Sequence, residues 1–154
     1  MIPLFLERTT QMPFNPGVFL SLKPSDTSAH NSASLLMGGL GAQTNAARFS
    51  AGGTGRMVFI LTGSQTADAN ARTTATQLSY GTGTAPAALA AVAGTQVGGS
   101  LAWVSLTAYL TVPFTLHTLI SGLVPGTSYW LDLAGSASAG TVTYKNLNLI
   151  AFEV

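Results

Sequence analysis

Residues 122–154 read GLVPGTSYWLDLAGSASAGTVTYKNLNLIAFEV, and this pattern decides the fold class. Val124-Pro125-Gly126-Thr127 is a turn, because the proline ring presets φ at the first corner and Gly126 takes a positive φ at the second. Over residues 128–133 the side chains then alternate. Tyr129, Leu131 and Leu133 point to one face, Trp130 and Asp132 to the other. Residues 135–140 are small and suit a hairpin loop. Two β-branched, alternating runs follow at 141–145 and 147–152, which makes three strands joined by two turns. So regular a closing segment belongs in an antiparallel sheet, and the rest of the chain must supply its partners.

Working outward, residues 114–120 (FTLHTLI) alternate again, and Pro113 allows a bend before them. Residues 101–110 (LAWVSLTAYL) read as a strand. The Gly/Ala-rich stretch 81–99 admits two readings: a long loop crossing the end of a sandwich, or a helix of one or two turns over 87–93. Residues 73–80 (TTATQLSY) form a strand, 63–70 a polar loop, and 56–62 (RMVFILT) a strand buried on both faces. A short strand fits 47–50 and another fits 18–22. Residues 25–47 carry Gly38, Gly39 and Gly41 among their leucines, so they read as an irregular connection. Pro3, Pro13 and Pro16 keep residues 1–17 extended, as an N-terminal arm ahead of a single domain at 18–154; the alternative for the region up to about residue 50 is a strand plus surface loops of the same globule. Seven or eight strands at this spacing predict an all-β, antiparallel β-sandwich, jelly-roll-like, with an extended N-terminal arm.

Composition narrows the function. Only 7% of the 154 residues are Asp, Glu, Lys or Arg, against roughly 25% in an ordinary soluble domain. Such a surface is covered by Ser, Thr, Asn and Gly, or by other subunits, and the net charge of +1 favours association. The six basic residues are scattered, so no basic stripe awaits nucleic acid. Mean hydropathy is +0.39, yet no apolar run reaches the length of a membrane helix, and the N-terminus lacks the basic region of a secretory signal. With no cysteine there is no disulfide framework and no thiolate metal site.

The polar inventory is thin for an enzyme. There is no HExxH, no paired histidines at metal spacing, no Gly-x-Ser-x-Gly elbow and no Gly-rich loop followed by lysine. His30, His117 and Asp132 are three scattered residues, best read as a turn residue, a surface or interface residue and a hydrogen-bonded strand residue. Trp103 and Trp130 fall inside strands, which favours core or interface over sugar stacking. Tyr129, six residues after Leu123, has the spacing of a corner in which the phenol hydroxyl bonds back to nearby backbone. The expectation is a non-enzyme with no cofactor and no metal.

A resemblance spans residues 25–154. It rests on Asp26-Thr27-Ser28-Ala29-His30-Asn31, Leu36-Met37-Gly38-Gly39-Leu40-Gly41 and Gly55-Arg56-Met57-Val58, continuing with Tyr80-Gly81-Thr82-Gly83-Thr84-Ala85-Pro86, Val112-Pro113-Phe114-Thr115-Leu116 and Gly122-Leu123 followed by Tyr129-Trp130-Leu131-Asp132-Leu133. In order and spacing these segments resemble a family of small phage and prophage virion structural proteins. The resemblance implies a β-sandwich used for assembly or attachment, and it carries over no catalytic residues. The expected role is a capsid decoration, or cement, protein: a homo-oligomer, a trimer by expectation, stapling major capsid protein on the outer shell of a virion assembled in the host cytoplasm. Its shell contact would be the arm residues Ile2, Leu4, Phe5, Leu6, Phe14 and Phe19, whose apolar burial offsets the entropy lost on ordering. No nucleic acid or membrane is expected as partner. The competing expectation is a receptor-binding tip of a tail or head fibre, with Tyr80 and the 81–99 stretch as contact.

Overall fold

The computed structural model describes residues 18–20, 27–30, 35–36, 48–87 and 89–154. Among the described residues there are ten strands in chain order: β1 Val18–Leu20, β2 Thr27–His30, β3 Leu35–Leu36, β4 Arg48–Ser50, β5 Met57–Ala67, β6 Thr73–Thr82, β7 Thr95–Val104, β8 Thr111–Ile120, β9 Ser128–Ala137 and β10 Thr141–Glu153. Every pairing is antiparallel. One sheet runs β1-β10-β5-β8, with β2 also on β10; the other runs β3-β9-β6-β7, with β4 also on β9. After the β6–β7 pair, which stays in one sheet, the chain crosses to the opposite sheet at every connection. That is the double Greek key of a jelly roll. The expected all-β, jelly-roll-like sandwich is what the chain forms; the expected arm at 1–17 lies outside the described residues.

The core follows from strand alternation. Met57, Phe59 and Leu61 of β5, with Leu149 and Ala151 beside them on β10, share the core with Leu131 and Leu133 of β9 from the other sheet. Phe49 of β4 lies edge-on to Phe59 at 4.7 Å and stacked on Tyr129 at 5.4 Å. The turn ahead of β9 has the predicted form: Thr127 N–H donates to Val124 O at 3.1 Å, and Gly126 has φ +74°. The corner also closes, for Val124 N–H donates to the Tyr129 hydroxyl at 2.9 Å.

Several sequence expectations are corrected. The second and third expected strands of the 122–154 segment are one strand: β10 runs unbroken through Lys145–Asn148 by a bulge, with Asn146 at φ +52°. The extra residue switches the buried parity from Val142 and Tyr144 to Leu147, Leu149 and Ala151. Residues 135–137, expected in the hairpin loop, belong to β9, and Gly135 is there because the Tyr144 ring lies against its Cα. The polar stretch 63–67 is strand, because β5 is held on both sides by β8 and β10. On the outer face of β5, Val58 and Ile60 are only half-buried. Two short strands fall within the connection at 25–47, both fixed by ladders on central strands rather than by their own composition. In the 81–99 stretch the chain is loop from 83 to 94, with no helix among the described residues, and is already strand from Thr95. The expected strand 101–110 ends at Val104, and 105–110 is loop. No bend occurs at Pro113, which sits within β8, an edge strand where its missing N–H costs nothing.

Candidate docking surface

The best-defined surface feature is the end of the sandwich where the β5–β6 turn (68–72), the β7–β8 loop (105–110) and the β9–β10 turn (138–140) meet. Ser105 is buried and ties the first two together. Its hydroxyl donates to Ala69 O at 2.6 Å and accepts from Arg72 N–H at 3.0 Å, while its own N–H donates to Arg72 O at 2.9 Å. Ala71 N–H donates to Ser105 O at 2.7 Å, Ala108 N–H to Asn70 Oδ1 at 2.6 Å and Tyr109 N–H to Ala67 O at 2.9 Å. On the other side, Asp68 and Thr141 exchange two bonds, Asp68 N–H to Thr141 O at 3.1 Å and Thr141 N–H to Asp68 Oδ2 at 2.9 Å. Asp68 also stands 3.7 Å from Arg72 Nε. These bonds tie the three loops to one another.

What the scaffold presents is apolar. Leu106 is 82% exposed, Tyr109 73%, Val104 49% and Leu110 46%. Tyr109 has φ +62°, a conformation a bulky residue holds only under constraint, at a cost of roughly 1–3 kcal/mol. Side chains of this size, exposed on one short segment, make it the candidate docking surface. Sequence reading missed it by extending the strand through 110. The available signal was slight: Leu106 and Leu110 keep the strand period of two, and only Tyr109 falls out of step with it.

At the opposite end, the β6–β7 loop (83–94) folds over Trp130. The indole is buried on the outer face of its sheet, and its Nε1–H donates to Thr82 O at 3.1 Å. Glycine stands at positions 81 and 94 because a Cβ would come to 2.5 Å and 2.6 Å of the ring. A cleft of about 510 Å³ opens there, lined by Tyr80, Thr82, Thr84, Pro86, Gly94 and Thr95, with Tyr129 and Trp130 at its floor. All its side chains are uncharged.

The remaining sequence candidates are not brought together. His30 stands opposite Thr141 at one end of its sheet, and His117, exposed, stands opposite Ile60, seven rows beyond Ala67. The two histidines are therefore roughly 25 Å apart along the strands. Asp132 lies in the other sheet opposite Ser79, fully buried, and its Oδ1 accepts from Leu133 N–H at 2.8 Å. No His30–His117–Asp132 constellation forms. Among the described residues, no three His, Asp or Glu side chains gather as a metal site would require. Trp130 is buried and Trp103 half-buried on β7, so neither offers a free ring face at a loop tip. Ile2, Leu4, Phe5, Leu6 and Phe14 lie outside the described residues; Phe19 is in β1, opposite Ile150. Among the described residues, no helix is long and apolar enough to cross a membrane.

No protein-family model matches the chain, and no curated protein matches it in sequence. Among solved structures it is similar to a chain in the structure of infectious bursal disease virus Gt strain, with a TM-score of 0.50 and 10% identity. The likeness covers 91% of this chain and 34% of that one, so this chain spans about a third of its length. At that identity the likeness speaks to fold alone: the chain is a jelly-roll β-sandwich, an architecture it shares with a chain of that virus structure.

Proposed function

We propose that this chain is a non-enzymatic structural protein of a bacteriophage virion, an oligomeric decoration protein that stabilises the outer shell. The observation that carries the reading is the jelly roll, a fold of viral shells, presenting a fixed apolar loop cluster in place of convergent catalytic groups. The resemblance to small phage virion proteins supports it. In this reading Ile2, Leu4, Phe5, Leu6 and Phe14 supply the contact with major capsid protein, while Phe19, expected to join them, is in β1 opposite Ile150. The test is copy number per particle, by quantitative mass spectrometry of purified virions. Hundreds of copies in fixed ratio to major capsid protein support a shell role; a few copies, or none, overturn it. Deleting residues 1–14 is expected to abolish shell binding and leave a folded domain.

A second reading, a receptor-binding fibre tip, is favoured by the cleft beneath the 83–94 loop, where Tyr80 and three threonines suit a neutral sugar. Binding on a glycan array that is lost when the 83–94 loop is replaced would support it, together with a virion content of only a few dozen copies.

A further inference from the structure

We infer that the β7 edge and the 105–110 loop form the surface by which copies of this chain pack on one another. Three independent observations identify a second copy as the occupant. The first is charge. From Thr73 to Tyr144 the chain has one formally charged residue, Asp132, and it is fully buried. Strands β6 to β9 and the loops between them therefore build a surface without exposed formal charge. A partner recognised by charge finds nothing to pair with there, whereas a second copy meets no like-charge repulsion.

The second observation is the edge. β7 is the outer strand of its sheet, ten residues long, with no proline and no charged residue along it. Natural sheets blunt exposed edges with charge, proline and bulges; β7 has only a bulge between Val97 and Leu101, so its Leu101–Val104 end is left open to a partner. Its neighbour across the sandwich, β8, comes close at Gly98, where a Cβ would stand 3.2 Å from His117 O, but the two strands belong to different sheets and share no ladder. The third is the apolar set Val104, Leu106, Tyr109 and Leu110, continuous in sequence with the end of β7 and held in place by the bonds to 67–72. An edge, an uncharged face and rigid apolar anchors in one continuous stretch are the parts of a subunit interface.

The inference gives the proposed oligomer its contact surface, but its evidence is independent of the shell role. The test uses the full chain, which contains no cysteine. Wild-type protein should sediment as a multiple of 15.7 kDa. The double variant Leu106→Asp/Tyr109→Asp should run as a monomer with an unchanged circular dichroism spectrum, since Asp accepts positive φ more readily than Tyr. Val124→Asp, an exposed apolar position on the β8–β9 turn at the far end, should keep the wild-type mass. As a check that does not depend on the aspartates folding, Leu106→Cys and Val124→Cys are each titrated with a thiol reagent. Cys at 106 should react at least about tenfold more slowly than Cys at 124, because the neighbour covers it. A monomeric wild type, an oligomer that survives the double aspartate, or equal thiol rates overturns the inference. Self-association through this surface by a protein missing from particles would refute the shell role and leave the interface standing; a monomeric shell protein would do the reverse.

Discussion

Tyr144 is completely buried, and among the described residues its hydroxyl has no hydrogen-bond partner. Its ring lies edge-on to Phe114 at 6.0 Å and over the Cα of Gly135. A hydroxyl taken from water without replacement costs roughly 1–3 kcal/mol, so Tyr144→Phe should raise stability by about 1 kcal/mol or more. For a domain of this size that is an increase of about 2–4 °C in Tm. Gly135→Ala should do the opposite. Its Cβ would stand 2.6 Å from the tyrosine oxygen and 2.7 and 2.9 Å from two ring carbons, in a strand held on both sides, an overpacking worth roughly 1–3 kcal/mol. The double variant should recover part of that loss, because the nearest atom is gone while the ring carbons remain. Four urea denaturation curves measure the cycle. Burial also raises the Tyr144 pKa well above the ordinary tyrosine value near 10. The unfolded chain then releases its proton first, so this contribution is intact below about pH 10 and is lost as pH rises beyond it. Tyr144→Phe should therefore flatten the alkaline limb of the stability profile. A Phe variant less stable than wild type by about 1 kcal/mol would refute the reasoning, because it would mean the hydroxyl is satisfied in the core.

Tyr129→Phe should cost about 1 kcal/mol by leaving Val124 N–H without its acceptor while the ring contacts with Phe49 and Tyr80 persist; a chemical denaturation midpoint reads it directly. Gly94→Ala, at φ +74° and against the Trp130 ring, should destabilise by roughly 1–3 kcal/mol and change the tryptophan emission as the 83–94 loop lifts. The Glu153 carboxylate accepts from Thr54 N–H at 2.7 Å and from the Thr54 hydroxyl at 2.6 Å, which lowers its pKa. Its latch on residues 52–56 should therefore be present above the ordinary glutamate value and lost as pH falls through the lowered one. The protection factor of the Thr54 amide, its exchange rate divided into the intrinsic rate at each pH, checks this, with Glu153→Gln as a variant in which that factor does not change over the range.

Legibility in the sequence followed the physics of each element. The strand at 128–133, its preceding turn and the tyrosine corner were readable because each depends on residues a few places apart. The buried face of β8 was readable for the same reason. The extensions of β5 through Gly63–Ala67 and of β7 back to Thr95 were not, since polar and glycine-rich residues there are strand only through their neighbours' ladders. β1 pairs residue 18 with residue 151, a partnership that no local pattern encodes. The two halves of β10 were visible as separate runs because Asn146 breaks the alternation; only the ladder on β5 shows that the backbone passes through unbroken. The apolar loop at 105–110 was misread because leucine and tyrosine in a β-rich chain look like core. None of the surface proposed for self-association announces itself by a motif. It is defined by what the topology leaves uncovered.

The positions of β9 and β10 have a consequence for how the protein is made. Each is an inner strand of its sheet, with β3, β4 and β6 flanking one and β1, β2 and β5 flanking the other, yet they follow the other eight described strands in the chain. Until they emerge from the ribosome, the preceding chain has only the β5–β8 and β6–β7 pairs, and two-stranded ribbons are marginal in water. Neither sheet can close before β9 and β10 are made. A chain rich in unsatisfied edges and poor in charge must wait with its apolar strands exposed, and then complete both sheets in one late event. Folding is therefore expected to be slow and sensitive to concentration, and a stalled or shortened chain lacking β10 should aggregate rather than fold as a smaller domain.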